Sequence, residues 1–282
     1  MRTKAELLAA RKDFTGETAL VMTMGALHEG HLSLVRQARK LAQNVVVSIY
    51  VNPLQFGPGE DFAAYPRQLE ADLALLSELS VDLVFAPSDE EMYPRTPLVS
   101  INPGPVAKVL EGKTRPGHFA GVLQVVHKVF QLVRPEYAIF GEKDAQQLAL
   151  IKSMVADLDM PVEIVPLPIQ RDVDGLALSS RNAYLSAAER EVALSLSTSL
   201  RLGADAVEQA RTTGLKLRGP ELREKVFTAL SSQEQLKVDY VEVVERDTFL
   251  IASRDYSGPA LIVLAVWVGS TRLIDNMEVE IG

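Results

Sequence analysis

The chain contains no cysteine, so it can have neither a disulfide framework nor a thiolate metal site. It also lacks an excess of basic residues: 29 Lys and Arg stand against 37 Asp and Glu, for a formal net charge of 29 − 37 = −8. An acidic total disfavours a nucleic-acid partner, because phosphate neutralisation needs a basic surface. Long apolar runs are missing as well. The longest, residues 260–268, is well short of the roughly 20 residues that a membrane-spanning helix requires.

The first residues, MRTKAELLAARKDF, are charged throughout and contain no apolar core of the signal-peptide type. Hydrophobic residues make up 47% of the chain, enough apolar surface to offset the entropy lost on ordering. These features predict a soluble, cytoplasmic, globular protein without a membrane partner. The length of 282 residues predicts about two domains, at roughly 100–200 residues per domain.

Strand and helix patterns alternate from the start of the chain to residue 169. An apolar run at 19–21 precedes a glycine-containing turn and a helical pattern, and VVVSIYV at 45–51 is typical of a strand buried on both faces. The alternation predicts a doubly wound α/β domain with a parallel sheet over residues 1–169. Further strands are predicted at 81–86, 137–140 and 162–169, and helices at 69–79, 118–133 and 145–158.

The pattern changes after Ile169. The polar segment RDVDGLALSSRN has no core periodicity and is interpreted as a linker that could also carry a site. Two helices and two strands follow, which predicts a smaller α+β C-terminal domain over residues 170–282 that could close over a ligand. The helices are predicted at about 186–211 and 220–231, and the strands at 238–244 and 260–268.

The first motif with chemical potential is MGALHEGH, directly after the first predicted strand. Ligands of open parallel sheets bind beyond the carboxyl ends of the strands. Gly25 lets the backbone approach a ligand, and Gly30 allows tight packing where the helix begins. The helix N-terminus suits a phosphate. His28 and His31 are three residues apart, so both can face that phosphate and donate hydrogen bonds to it.

Other interpretations of this turn stay open at this point. A histidine is more often structural than catalytic. The HxxH spacing is compatible with zinc, but a zinc site needs further ligands, and the chain has only four histidines and no cysteine. The GxGxxG fingerprint of dinucleotide-binding proteins is absent.

The second motif, NPLQFG, follows the second predicted strand. Gln55 can both donate and accept hydrogen bonds, which suits a hydroxylated carboxylic acid, although an ordinary turn glutamine is an open alternative. The next loop, GPGEDFAAYPR, is either a surface connection or a lid. Arg115 and His118 begin another predicted helix and would add positive charge to the acid-binding side.

Two later segments offer phosphate ligands. In GEKDAQQ, Lys143 is a compact charge suited to phosphate, and Gln147 would face the same cleft as Gln55. Asp144 could either cap the following helix or bind ribose or magnesium. In LSSR, two hydroxyls and one guanidinium could bind the β- and γ-phosphates, with a solvated linker as the alternative.

HEGH resembles the HIGH-type signature of the adenylyl-transferring α/β proteins. Further segments resemble, in the same order, the motif series of the pantoate–β-alanine ligases, from about residue 23 to residue 276. These segments are TMGALHEGH, VNPLQFGPGEDFAAYPR, GHFAGV, GEKDAQQL, DGLALSSRN and TRLIDN.

The resemblance implies a Rossmann-like nucleotidyltransferase fold and the ATP- and Mg²⁺-dependent joining of pantoate to β-alanine through a pantoyl adenylate. It also implies a homodimer, formed through the larger domain, and catalytic roles for His28, His31 and Lys143. The ATP-binding residues it implies are Met24, Gly25, His28, Gly30, His31, Gly141, Lys143, Asp144, Gln170, Leu178, Ser179, Ser180 and Arg181. For pantoate and β-alanine it implies Gln55, Gln147, Asn52, Arg115 and His118, and for magnesium, through water, Asp72.

Three rival functions are weighed against this one. Another nucleotidyltransferase would share HEGH but would lack the paired glutamines and DGLALSSRN. An aminoacyl-tRNA synthetase fragment is disfavoured by the acidic balance and by the lack of an anticodon-binding extension. In a non-enzymatic binding module of the same fold, the phosphate-binding residues would be dispensable.

Overall fold

A computed structural model describes all residues, 1–282. The chain divides into two compact units, the first made of Met1–Glu142 and Gln146–Pro168 and the second of Lys143–Ala145 and Ile169–Gly282. The change of unit at Pro168 lies one residue from the predicted domain boundary. The grouping of Lys143–Ala145 with the second unit was not predicted.

The first unit contains a parallel sheet of five strands in the order β3-β2-β1-β4-β5, which confirms the doubly wound α/β class. The chain reverses its direction of winding between β1 and β4, so the crevice where such folds bind ligands lies beyond the carboxyl ends of these two strands. The strands are β1 (Thr18–Thr23), β2 (Asn44–Ile49), β3 (Leu83–Phe85), β4 (Tyr137–Gly141) and β5 (Glu163–Leu167).

Apolar side chains cover both faces of this sheet, because successive residues of a strand point to opposite sides. Leu20 and Val46 contribute to one buried cluster, and Ala19, Val21 and Val47 to another. The helices that enclose these clusters are α1 (Lys4–Arg11), α2 (Glu29–Leu41), α3 (Leu69–Glu78), α4 (Asp89–Met92), α5 (Glu111–Thr114), α6 (His118–Val133) and α7 (Ala145–Asp157).

The second unit contains two long helices and an antiparallel sheet of three strands, which confirms the predicted α+β class. Its elements are α8 (Ala187–Thr213), α9 (Gly219–Ser231), β6 (Leu236–Glu245), β7 (Gly258–Val268) and β8 (Thr271–Ile281). β8 is not among the strands predicted from the sequence. Polar and apolar residues alternate along this strand, so it has no continuous apolar run to mark it.

The segment interpreted as a linker is an ordered hairpin of the second unit. Arg171 and Ala177 form an antiparallel bridge, and the Leu178 N–H donates to the Gln170 carbonyl at 2.9 Å. Leu176 belongs to the buried cluster of this unit. Gly175 turns the hairpin at φ +94°, a backbone conformation that favours glycine.

None of the helices combines the length and the apolar character needed to cross a bilayer.

Candidate active site

The turn between β1 and α2 is closed by its two histidines. His28 is the N-cap residue of α2, and its Nδ1 accepts the Gly30 N–H at 3.2 Å. Nδ1 of His31 accepts the His28 N–H at 3.3 Å, so the two side chains form a reciprocal capping box, with ring centroids 4.1 Å apart. The HEGH spacing therefore satisfies two N–H groups that a helix N-terminus otherwise leaves without partners.

These hydrogen bonds also determine the tautomers of the two rings. A nitrogen that accepts an N–H carries no proton, so in each neutral imidazole the proton lies on Nε2. His28 and His31 therefore both have an Nε2–H donor, the type of group that a phosphate oxygen requires. The structural and the functional interpretations of this pair are compatible, because helix capping uses Nδ1 of each ring and phosphate binding would use Nε2.

A buried carboxylate holds the backbone of the same turn. Asp72, on α3, is fully buried and accepts the N–H groups of Ala26 at 3.0 Å and Leu27 at 2.8 Å. Gly25 and Ala26 both have positive φ, which turns consecutive N–H groups toward this anion. The direct contacts of Asp72 are thus backbone amides. Its predicted contact with magnesium through water stays a prediction.

A chain of side-chain hydrogen bonds orients Gln55 beside the histidine turn. Asn52 is buried; its Oδ1 accepts the Leu54 N–H at 3.4 Å and the Tyr93 hydroxyl at 3.1 Å, and its Nδ2 donates to the Gly121 carbonyl at 3.1 Å. Because Leu54 N–H can only donate and the Gly121 carbonyl can only accept, the amide of Asn52 has one possible orientation.

The orientation of Asn52 determines that of Gln55. Nδ2 of Asn52 donates to Oε1 of Gln55 at 3.1 Å, which turns Nε2 of Gln55 toward Sδ of Met24, also at 3.1 Å. Residues that follow β1 and β2 are therefore linked directly, as expected for strands whose carboxyl ends share one edge of the sheet. The structure thus brings together Met24, Asn52 and Gln55, three of the predicted binding residues.

Arg115, which is half-buried, and His118, which is buried, form a second network beside Gln55. The guanidinium of Arg115 binds Glu60 through Nε–Oε1 at 3.0 Å and Nη2–Oε2 at 2.6 Å. Nδ1 of His118 lies 2.8 Å from the Gln55 carbonyl, which only accepts, so Nδ1 carries the proton and Nε2 accepts from Arg115 at 3.1 Å. Burial, reinforced by the Arg115 charge, lowers the pKa of His118 to about 4.

His118 is therefore neutral near pH 7, and the expectation that it adds positive charge is wrong. Both of its ring nitrogens have partners in the protein, and the positive charge of this network belongs to Arg115. Direct binding of the acid substrate by either residue stays a prediction.

The loop GPGEDFAAYPR is anchored at both ends and in its middle. Glu60 is tied to Arg115, and the Phe56 ring lies 5.3 Å from Phe62 and 6.1 Å from the buried Tyr65. The Arg67 guanidinium donates to the carbonyls of Tyr65 and Phe62. An ion pair and an aromatic cluster therefore hold this loop.

The segment after β4 contains the second group of predicted residues. A Cβ on Gly141 would meet no atom of the protein within 4 Å. Asp144 lies inside the 3-10 turn Glu142–Asp144 that leads directly into α7, and its side chain is exposed. Asp144 directly precedes α7, so both of its predicted roles, capping that helix and binding ribose or magnesium, stay predictions. Lys143 and Gln147 are half-buried.

The hydroxyl of Ser179 has a structural role in the LSSR segment. Ser179 is the N-cap of the 3-10 helix Ser180–Tyr184, and its Oγ accepts the Arg181 N–H at 3.3 Å. The segment therefore has helical geometry, with N–H groups directed toward its start, an arrangement that suits anions.

Sequence reasoning missed the residues that hold the predicted ones in place. They are Tyr93 and Glu60 in the first unit and Arg171, Asp275 and Asn276 in the second. Tyr93 lies outside every quoted motif. Glu60 lies within VNPLQFGPGEDFAAYPR, Arg171 begins RDVDGLALSSRN, and Asp275 and Asn276 belong to TRLIDN, but no role was assigned to any of the four. No group of three or more His, Asp or Glu side chains could hold a metal ion.

Comparisons with known proteins agree with this geometry. A family model described as pantoate-beta-alanine ligase matches residues 1–278. A curated pantothenate synthetase from Acidothermus cellulolyticus is 52% identical over 282 residues, which cover 99% of this chain and 91% of the relative. Another from Thermobifida fusca is 49% identical over 286 residues, covering 99% and 95%.

Solved structures give the same result. The crystal structure of pantothenate synthetase from Thermus thermophilus is 45% identical, with a TM-score of 0.89 and 98% of each chain covered. That of a pantoate-beta-alanine ligase from Francisella tularensis, complexed with beta-gamma ATP and beta-alanine, is 35% identical, with a TM-score of 0.80. The match covers 98% of this chain and 96% of that one.

Proposed function

The chain belongs to the pantoate–β-alanine ligase family, and from this premise we propose which of its residues perform each part of the reaction. The protein forms pantothenate by the ATP-dependent condensation of pantoate with β-alanine. The family match over nearly the whole chain decides against a synthetase fragment, a binding module or another nucleotidyltransferase.

The reaction proceeds in two steps. A carboxylate oxygen of pantoate attacks the α-phosphorus of ATP, the bond from that phosphorus to the β-bridging oxygen breaks, and pyrophosphate leaves. The amine of β-alanine then attacks the acyl carbon of pantoyl adenylate, AMP leaves with the electrons of the broken C–O bond, and the amine loses a proton. The protein supplies positioning and charge neutralisation.

The observation that carries the first step is the reciprocal capping of His28 and His31. Their Nε2–H groups lie at the start of α2, beyond β1, where the helix dipole adds partial positive charge. They stabilise the negative charge that develops on the phosphates. Lys143, together with Ser179, Ser180 and Arg181, is assigned to the β- and γ-phosphates. The other nucleotide contacts are assigned to Met24, Gly25, Gly30, Gly141, Asp144, Gln170 and Leu178.

Pantoate is assigned to the oriented glutamine Gln55, with Gln147 as its partner. Asn52 acts through Gln55, to which it donates. Arg115 supplies positive charge for a substrate carboxylate, and the neutral His118 holds the guanidinium in place.

Magnesium is assigned to the substrate, as MgATP. No group of three or more His, Asp or Glu side chains could hold a resident ion, and the direct contacts of both Asp72 oxygens are backbone N–H groups, so we assign Asp72 a contact with the magnesium of MgATP only through water. Mg²⁺ commonly binds proteins chiefly through substrate phosphates and water, which agrees with this assignment.

The family membership supports a homodimer in the cytoplasm. Light scattering of the purified protein at several concentrations tests the first statement, and a monomeric mass throughout would contradict it. Fractionation of the cells that make the protein tests the second.

A two-stage assay tests the chemistry. With MgATP and pantoate alone, pyrophosphate is expected to form up to one equivalent of enzyme; β-alanine should then start turnover and AMP release. Pyrophosphate formation that does not depend on pantoate would overturn the proposed first step.

A histidine variant tests the assignment of charge stabilisation. His31→Ala is expected to lower the adenylation rate by about two orders of magnitude or more. Ser33→Ala, two residues further along α2, removes only a hydrogen bond to the Gly30 carbonyl and serves as the matched control. Equal rates in the two folded variants would remove the proposed role of His31.

A further inference from the structure

The DN dipeptide of the TRLIDN motif places two buried polar side chains in the middle of β8. Asp275 and Asn276 pair with Leu264 and Val263 of β7, and their exposed fractions are 3% and 6%. Buried polar groups must find hydrogen-bond partners. Adjacent strand residues point to opposite faces, so each of these two side chains contacts a different segment.

Asp275 holds the hairpin that leads to the LSSR segment. Its carboxylate binds Arg171 with two hydrogen bonds, to Nη1 at 2.7 Å and Nη2 at 2.9 Å. Nη1 of Arg171 also donates to the Gly175 carbonyl at 3.2 Å, at the tip of the hairpin. A bidentate pair of this kind fixes orientation as well as distance.

Asn276 holds the Lys143 segment. Its Nδ2 donates to the carbonyl oxygen of Lys143 at 3.0 Å, and Lys143–Ala145 group with the second unit. This hydrogen bond acts on the backbone of the 3-10 turn Glu142–Asp144 and leaves the Lys143 ammonium out of the contact. The backbone of a turn sets the direction of its side chains, so the contact controls where that ammonium points.

We propose that Asn276 is a positioning residue for Lys143, and that it acts by fixing the backbone carbonyl of that residue rather than by touching any substrate. The inference rests on the proposed role of Lys143 toward the ATP phosphates. Asp275 complements Asn276, because it holds the hairpin that leads to the LSSR segment. Strand β8 therefore positions both proposed phosphate-binding segments, the one at Lys143 and the one at LSSR. A displacement of a charged group by about 1 Å can cost up to a hundredfold in rate, so a single anchor of this kind matters.

A double-mutant cycle on ATP affinity tests the proposal. The probe is MgATP, and the readout is its dissociation constant from calorimetry, which does not require turnover. Asn276→Ala is expected to weaken MgATP binding by roughly tenfold, the effect of one lost hydrogen bond. In a Lys143→Ala background the same substitution is expected to change the affinity by less than about twofold, since Asn276 has no ammonium left to position.

Two controls separate a positioning role from a structural one. Glu278→Gln alters the next residue on the same face of β8, where the carboxylate forms an exposed ion pair with Arg246, and is expected to leave MgATP affinity unchanged. Pantoate affinity is expected to stay at its normal value in Asn276→Ala. Asn276→Asp keeps the side-chain volume but removes the donor, so it should reproduce the loss of affinity.

The outcomes are distinguishable. If Lys143→Ala binds MgATP normally, the proposed role of Lys143 fails, and this inference fails with it. If Lys143→Ala binds weakly but Asn276→Ala binds normally, or if the two losses add, only the inference is overturned. If neither Asn276 variant gives a cooperative melting curve, the residue serves the fold alone, which also overturns the inference.

Discussion

Nη1 of Arg115 donates to Nε2 of His118 across 3.1 Å, which makes this histidine an acceptor and keeps it neutral. A protonated ring would lose that contact and would place two positive charges side by side in a buried position. The pair therefore couples the charge state of one residue to the orientation of another, Arg115, which is assigned to a substrate carboxylate.

The first prediction is a loss of stability in acid that depends on His118. Its pKa is lowered from the usual 6.5 to about 4, so between these values the unfolded chain binds more protons than the folded one. The stabilising contribution is complete above about pH 6.5 and disappears as the pH falls through 4, at a total of roughly 3 kcal/mol. Urea unfolding at pH 7.5 and pH 5 measures it.

The control for this measurement is His118→Asn, which retains an N–H near the Gln55 carbonyl but does not titrate in this range. The other titrating groups are the same in both proteins, so the variant should lose less stability than the parent on acidification. Equal losses would show that His118 does not have its lowered pKa.

The second prediction concerns the carboxylate that holds the histidine turn. Asp72→Asn replaces one acceptor with a donor facing the N–H of Ala26 or Leu27, so one backbone amide loses its buried partner. The expected cost is about 2 kcal/mol of unfolding free energy, with a lower adenylation rate in the folded fraction. Glu70→Gln, an exposed change in the first turn of α3, should cost nothing measurable. A normal melting temperature for Asp72→Asn would contradict the assigned role.

The third prediction compares two glycines. A Cβ on Gly141 would enter space that the protein leaves open, whereas a Cβ on Gly121 would lie 2.1 Å from the Leu54 carbonyl oxygen. Gly141→Ala should therefore fold normally and raise the KM for ATP by about tenfold or more, because the methyl group would enter the space proposed for the nucleotide. Gly121→Ala should instead destabilise the fold and lower the melting temperature. Thermal melts and ATP titrations of both variants separate these effects, and a normal KM in Gly141→Ala would remove that residue from the ATP site.

The fourth prediction concerns Tyr93, which contacts Asn52 and through it the proposed pantoate ligand Gln55. Tyr93→Phe removes the hydroxyl that donates to Asn52, the residue that orients Gln55. The KM for pantoate is expected to rise about fivefold, the effect of one hydrogen bond, with no change in the KM for ATP. Tyr137→Phe removes a hydroxyl bound to Glu17 at the amino end of β4 and should change neither constant. Equal KM values for pantoate in the two variants would contradict the proposed chain of contacts.

Local patterns were enough to predict most of the first unit. The helix predicted at 118–133 matches α6 from His118 to Val133, and the strands beside the histidine turn and Gln55 are off by only one or two residues. These elements carry continuous apolar runs or a clear helical period, and both patterns can be recognised in the sequence without knowing the tertiary structure. β8 was not predicted because its residues alternate in polarity. The hairpin at 170–178 was not predicted because it has only two buried residues, Leu176 and Ala177, which are too few to form a recognisable pattern.

The sequence by itself determined the class of fold, the family and the identity of the residues at the strand ends, because motif spacing and hydrophobic period are written locally. Tertiary structure alone decided which atoms of those residues form hydrogen bonds within the protein. Asp72 accepts two amides, the neutral His118 donates to the Gln55 carbonyl, and Asn276 holds the carbonyl of Lys143. These hydrogen bonds join residues that are 45 to 133 positions apart in the sequence. Such contacts depend on how the whole chain folds, and no local sequence pattern predicts them.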